Sequence, residues 1–206
     1  MARKFRRNQP NREIGKVILI ACEGSETEPV YFEGIRKSLR VSKERIEVLP
    51  HQRTDPLGII ETLISERKER KQEKRWSEGD RAWAVFDGDE HIDNNSDNWH
   101  NALDKARSQK IDLAITNPCF EFWYLIHFRD CCAQIDRVKT RRLLKQHILN
   151  YDKTVCLYPE PLAPLTTQAM QRAKTIAEQI QRDQLSYFSN PCCSDLPTLV
   201  ESLLKL

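Results

Sequence analysis

The 206-residue sequence predicts an α/β fold: a mostly parallel sheet flanked by helices, with a helical C-terminal part. Three observations carry that reading. Val17-Ile18-Leu19-Ile20-Ala21-Cys22 is an unbroken apolar run rich in β-branched residues, the pattern of a strand buried on both faces. Strand-like and helix-like segments then alternate to residue 130, as repeated βα units require. Beyond residue 130 the periodicity is helical.

The first strand ends at Glu23-Gly24, where the chain must turn. Thr27 is placed to cap the next helix, with Pro29 in its first turn and Phe32, Ile35 and Leu39 as an inward stripe. Arg45 to Leu49 alternates as a second strand and stops at Pro50. Asp55-Pro56 opens a helix that buries Ile59, Ile60, Leu63 and Ile64. After the break at Gly79-Asp80, Arg81 to Phe86 forms a third strand and runs into Asp87-Gly88-Asp89-Glu90-His91. Ser96 caps a helix carrying Trp99, Leu103 and Ala106. Ile111 to Thr116 is a fourth strand, and Asn117-Pro118 starts a helix with Phe120, Trp123, Tyr124 and His127, whose aromatic residues belong to the core. Helices follow over Arg137 to Leu149, Thr166 to Asp183 and Leu196 to Leu206, the first two separated by a loop with Pro159, Pro161 and Pro164. The organisation is therefore a basic arm over residues 1–16, an α/β domain over 17–130 and a helical part over 131–206 packed on it.

Composition narrows the chemistry. No apolar run approaches the roughly 18 residues of a membrane span, and no apolar segment follows the basic start, so the expectation is a cytoplasmic protein. Seven cysteines, two pairs of them adjacent and none in a C-x-x-C, read as reduced packing residues rather than disulfides or zinc ligands. There is no G-x-x-x-x-G-K-[ST], no dinucleotide fingerprint and no G-x-S-x-G elbow. The stretch from Asp87 lacks the glycine and the closing glutamate of a calcium loop. A restriction-nuclease-type site would want a lysine two residues after an acid on a strand, whereas Glu66-Arg67-Lys68 lies in a helical segment. The net charge is only +3, but Arg3, Lys4, Arg6, Arg7, Arg12 and Lys16 stand against Glu13 alone, and such an arm can contact phosphates.

Ligands of an open parallel sheet bind beyond the carboxyl ends of its strands. Here the first strand ends at Glu23, the third at Asp87 and Asp89, and the fourth at Asn117, with Glu121 one helical turn later. Converging carboxylates repel and want a cation, and an all-oxygen donor set favours Mg²⁺ or Mn²⁺ over zinc. Glu23, Asp87 and Asp89 are the expected metal ligands. Glu23 or Glu121 is the expected proton-transfer group, and His91 and Asn117 are candidate phosphate or substrate contacts.

Three segments carry a family resemblance. Ile18 to Pro29 followed by Tyr31-Phe32-Glu33-Gly34, Trp83 to His91, and Thr116-Asn117-Pro118-Cys119-Phe120-Glu121-Phe122-Trp123 with Leu125, His127 and Phe128 resemble the motifs of RloB-like proteins. Asn190-Pro191 with Leu199, Val200 and Leu203 resembles their closing helix. The resemblance implies a Toprim-like domain, in which Glu23 matches the Toprim glutamate and Asp87 and Asp89 match its D-x-D metal ligands. It also implies a metal-dependent nuclease acting on DNA or RNA in bacterial anti-phage defence, beside an ATPase partner. The family's second motif commonly has Arg or Lys after its first Asp, and Gly88 departs from that by removing a phosphate-facing cation. The alternative expectation is a non-catalytic subunit that binds nucleic acid or the ATPase, with the acids holding a structural ion. Oligomeric state is left open by the sequence.

Overall fold

The computed structural model describes residues 15–50, 53–88, 91–92 and 96–206. The expected contacts from Arg3, Lys4, Arg6 and Arg7, and the metal ligand Asp89, lie outside the described residues. The chain runs β1 (Ile18–Cys22), α1 (Thr27–Ser38), β2 (Ile46–Val48), α2 (Pro56–Gln72), β3 (Arg81–Asp87), α3 (Ser96–Gln109), β4 (Asp112–Asn117), α4 (Glu121–Phe128), α5 (Arg137–Leu144), a 3-10 turn (Ala163–Leu165), α6 (Thr166–Arg182), β5 (Cys192–Ser194) and α7 (Leu196–Leu204). The five strands are ordered β2-β1-β3-β4-β5. The first four are parallel, and β5 pairs antiparallel with β4.

The apolar runs are continuous because both faces of the sheet are covered. Side chains alternate across a strand. Ile18, Ile20, Cys22, Trp83 and Val85 point to one face, where α1, α4, α6 and α7 bury Phe32, Leu125, Ile176 and Leu199 against them. Leu19, Ala21, Ala82, Ala84 and Phe86 point to the other, under Ile59, Ile60 and Leu63 of α2 and Trp99, Ala102 and Ala106 of α3. The aromatic residues Phe120, Trp123 and Tyr124 are core, as expected. Edge strand β2 is tied down by a buried arginine: Arg70 of α2 contacts Glu47 at 2.5 Å and Glu66 at 2.8 Å.

Several boundaries differ from the sequence reading. Thr27 is the first helical residue rather than the cap, and the preceding Glu26 makes no side-chain capping bond. The helix opens at Asp55-Pro56 as expected, and Asp55 caps it, its Oδ1 accepting the Gly58 amide at 2.8 Å. Asn117 is still paired in the sheet, opposite Cys192, so α4 starts only at Glu121. Helix α5 ends at Leu144 rather than Leu149, because Leu149 is 85% exposed and has no core to hold a further turn. The strand β5 was not expected. Cys192 and Cys193 are buried thiols there, and all seven cysteines are free. No helix among the described residues is long and apolar enough to cross a membrane.

Candidate functional site

The order β2-β1-β3-β4 puts a topological switch point between β1 and β3. From β1 the chain leaves through α1 on one face, and it reaches β3 through α2 on the other. The carboxyl ends of such neighbours frame a crevice suited to a ligand. Here they carry Glu23 and Asp87. The Glu23 amide donates to Val85 O at 2.9 Å, carrying the ladder one residue past β1. The Asp87 amide donates to Glu23 Oε2 at 2.9 Å, so the backbone of β3 orients the glutamate. The other oxygen, Glu23 Oε1, lies 2.9 Å from His91 Nε2. Asp87 is held from two sides. Thr116, opposite it in β4, donates its hydroxyl to Oδ1 at 2.9 Å, and Arg137 of α5 contacts Oδ2 at 3.3 Å.

Two more carboxylates sit beneath this pair. Glu28 in the first turn of α1 is 5% exposed, and its Oε1 accepts the Gly24 amide at 3.2 Å. Gly24 packs closely on it: a Cβ there would stand 2.2 Å from Glu28 Oε2, so the carboxylate would have to shift. Glu121 opens α4, is 2% exposed, and receives Arg141 Nε on Oε1 at 2.8 Å. Arg137 and Arg141 are four residues apart on α5, so one helix face serves both acids.

The electrostatics follow from this crowding. Burial, then the charges of Glu28 and Glu23, push the Asp87 carboxyl well above the usual carboxylate range, against the pull of Arg137 and the Thr116 hydroxyl. Burial is also the main cause that raises Glu28 to about 7, with Glu23 and Glu121 adding to it. The buried Cys119 thiol is pushed up by desolvation and then by Glu121 and Asp87. Four carboxylates thus feel one another, and two arginines offset part of their repulsion.

The sequence-predicted residues divide accordingly. Glu23, Asp87 and His91 come together at the mouth of the crevice. Glu121 lies inside, engaged by Arg141. Asn117 turns its amide to the C-terminal part, donating to Phe188 O at 2.9 Å. Gly88 is packed tightly: a Cβ would meet Ile92 Cδ1 at 3.0 Å and Asn117 Cβ at 3.2 Å, so a larger side chain needs both neighbours to yield. Sequence reasoning missed Glu28, Thr116, Arg137 and Arg141. Glu28 and Thr116 stand inside the quoted motif segments, which was the available signal for them; Arg137 and Arg141 offered only their four-residue spacing.

The model of the RloB-like protein family matches residues 18–203. The chain belongs to the RloB-like family. No curated protein and no solved structure was found to match it. Among its RloB-like motifs, the first supplies Glu23, Gly24 and Glu28, the second Asp87 and His91, and the third Thr116, Asn117 and Glu121. The structure therefore gathers the three segments at one end of the sheet.

The donor set suits a hard cation. Glu23 and Asp87 offer only oxygen, and burial together with the charges of Glu28 and Glu23 raises the Asp87 carboxyl, which nearby positive charge would oppose. Among the described residues, no three His, Cys, Asp or Glu converge closely enough to hold an ion. A third ligand is needed, and Asp89 is the sequence-predicted one.

Proposed function

We propose that this RloB-like protein hydrolyses phosphodiester bonds in nucleic acid at a Toprim-like site, with Mg²⁺ or Mn²⁺ held by Glu23, Asp87 and Asp89. The observation that carries the proposal is the pairing of Glu23 with Asp87 across the β1/β3 switch point, where the Asp87 amide fixes Glu23 Oε2 at 2.9 Å. Held by Glu23, Asp87 and Asp89, such an ion would supply positive charge against the phosphate oxygens and would lower the pKa of a water in its coordination shell.

The chain's own residues do the positioning. Asp87's amide and His91 hold both oxygens of Glu23, so the carboxylate enters the reaction already oriented. At the His91 Nε2–Glu23 Oε1 contact a proton can pass between two side chains at hydrogen-bond distance, taken from attacking water or returned to the leaving oxygen. Thr116 fixes the Asp87 rotamer. Arg137, half-buried beside Asp87, offers a guanidinium to a phosphate oxygen. Glu121 and Glu28 are supports: Glu121 anchors α5 through Arg141, and Glu28 shapes the β1–α1 turn through Gly24. A place in bacterial anti-phage defence beside an ATPase partner belongs to the same proposal, and rests on the family resemblance.

The test is cleavage of plasmid, single-stranded DNA and RNA with Mg²⁺ or Mn²⁺. Wild type is expected to cleave, and Asp87→Asn and Glu23→Gln are each expected to abolish cleavage. If wild type cleaves and Asp87→Asn cleaves equally well, the assignment is wrong.

The arginine pairing favours a second reading. Arg137 on Asp87 and Arg141 on Glu121 already offset the acids without a metal, as a non-catalytic subunit would need. That reading expects partner or nucleic-acid binding that survives Asp87→Asn, and no metal-dependent cleavage.

A further inference from the structure

Most described helices pair their cations along their own length: Arg36 with Glu33, Arg70 with Glu66, Arg107 with Asp104, Lys174 with Glu178, Lys205 with Glu201. The α5 segment does not. Residues 137–145 hold Arg137, Lys139, Arg141, Arg142 and Lys145, and no acid. The five cations form two rows. Arg137 and Arg141, four apart, point inward to Asp87 and Glu121. Lys139, Arg142 and Lys145, three apart, are exposed and make no ion pair with a described residue. The nearest acids on the chain are already engaged. Asp136 Oδ1 caps the helix by accepting the Lys139 amide at 2.6 Å, and Asp152, which lies near Lys145, accepts the Thr154 amide and hydroxyl.

We propose that the outer row of α5, Lys139, Arg142 and Lys145, is a track for nucleic-acid phosphates that lays the strand's backbone beside Glu23 and Asp87. This deepens the reading of the site given above and rests on it for the identity of the ligand. Side chains three apart on a helix stand about 5–6 Å from one another at Cβ, and their long stems span successive phosphates of one strand. The inner row makes the approach feasible. By engaging Asp87 and Glu121, Arg137 and Arg141 offset on this side the repulsion that four carboxylates would exert on a phosphate. One helix thus joins the crevice to an exposed cationic edge, and the bound backbone runs from that edge toward Arg137. The bland alternative is a solvated lysine and arginine face with no ligand.

The experiment is fluorescence anisotropy of labelled single-stranded and duplex DNA and RNA in EDTA, over a series of KCl concentrations. The triple variant Lys139→Gln/Arg142→Gln/Lys145→Gln is compared with wild type and with Lys68→Gln/Lys71→Gln on α2, across the sheet. All five side chains are exposed, and matching thermal melts verify folding. The triple variant is expected to bind at least tenfold more weakly. On single strands the slope of log affinity against log salt should flatten by about 2, since each lost phosphate contact removes about 0.7. The α2 variant should match wild type. Wild-type affinity and slope in the triple variant would overturn the proposal, as would a wild-type protein that binds no nucleic acid. The two readings fail separately. Cleavage lost in Asp87→Asn with unchanged binding in the triple variant removes the track and keeps hydrolysis; binding lost in the triple variant of a protein that never cleaves keeps the track and removes hydrolysis.

Discussion

Removing Arg141 tests whether α5 clamps the acids. Its Nε lies 2.8 Å from Glu121 Oε1, and the Glu121 side chain is 3% exposed against 34% for Arg141. Arg141→Met keeps the apolar stem but strands a buried carboxylate. Breaking a buried pair this way costs about 3–5 kcal/mol, and because water reaches Arg141 the expected loss is about 2–3 kcal/mol. For a chain of this size that lowers the melting temperature by about 5–10 °C. Glu121→Met alone leaves Arg141, which can turn to water, so its cost is smaller. The double variant should be less destabilised than the sum of the two by at least about 1 kcal/mol, read from urea unfolding of all four proteins. Additivity within about 0.5 kcal/mol would refute the clamp and place Glu121 in contact with something other than Arg141.

Three further outcomes follow from the same geometry. Glu28 has its carboxyl raised to about 7 by burial, above the ordinary value near 4.3, so the native state holds its proton more tightly. Its stabilising contribution is full below pH 4.3 and is lost as pH rises to 7; Glu28→Gln should therefore exceed wild type by about 2–3 kcal/mol in urea unfolding at pH 8 and lose that advantage at pH 4. His127 behaves oppositely: burial lowers it to about 4, its Nδ1–H donates to Trp123 O at 2.8 Å, and stability is full above pH 6.5 and falls with pH toward 4. His127→Asn should show a shallower acid loss than wild type, and parallel profiles would contradict this. Gly24→Ala should cost about 1–3 kcal/mol, because the new Cβ displaces the Glu28 carboxylate and breaks its bond to the Gly24 amide. Adding Glu28→Ala, which clears the obstructing atoms, should recover part of that loss in the same unfolding assay.

What the sequence reveals about this molecule depends on how local each determinant is. β1 and β3 are legible because a strand buried on both faces must be apolar throughout, so Glu23 and Asp87 stand out where those runs stop. The alternation of elements gives the layered α/β fold for the same reason. β5 was hidden because three residues carry no periodicity. It is held by distant contacts: Asn117 to Phe188 O, and Asn190 clamping both backbone groups of Ile135 at 3.3 and 2.7 Å. The capping role given to Thr27 failed because the turn is organised instead by Glu28 reaching back to Gly24. Arg137 and Arg141 look like an ordinary solvated pair in sequence, and only the tertiary fold turns their face to Asp87 and Glu121. The acid at the strand end is thus a local signal, whereas its electrostatic partners are not.

The central claim is that Glu23 and Asp87 form a divalent-cation site. Calorimetric titration of Mn²⁺ and of Mg²⁺ into wild type and Asp87→Ala/Asp89→Ala tests it most directly. Saturable binding to wild type is expected, lost in the double variant while its far-ultraviolet circular dichroism is unchanged. Equal binding by both proteins, or no binding by wild type, would contradict it.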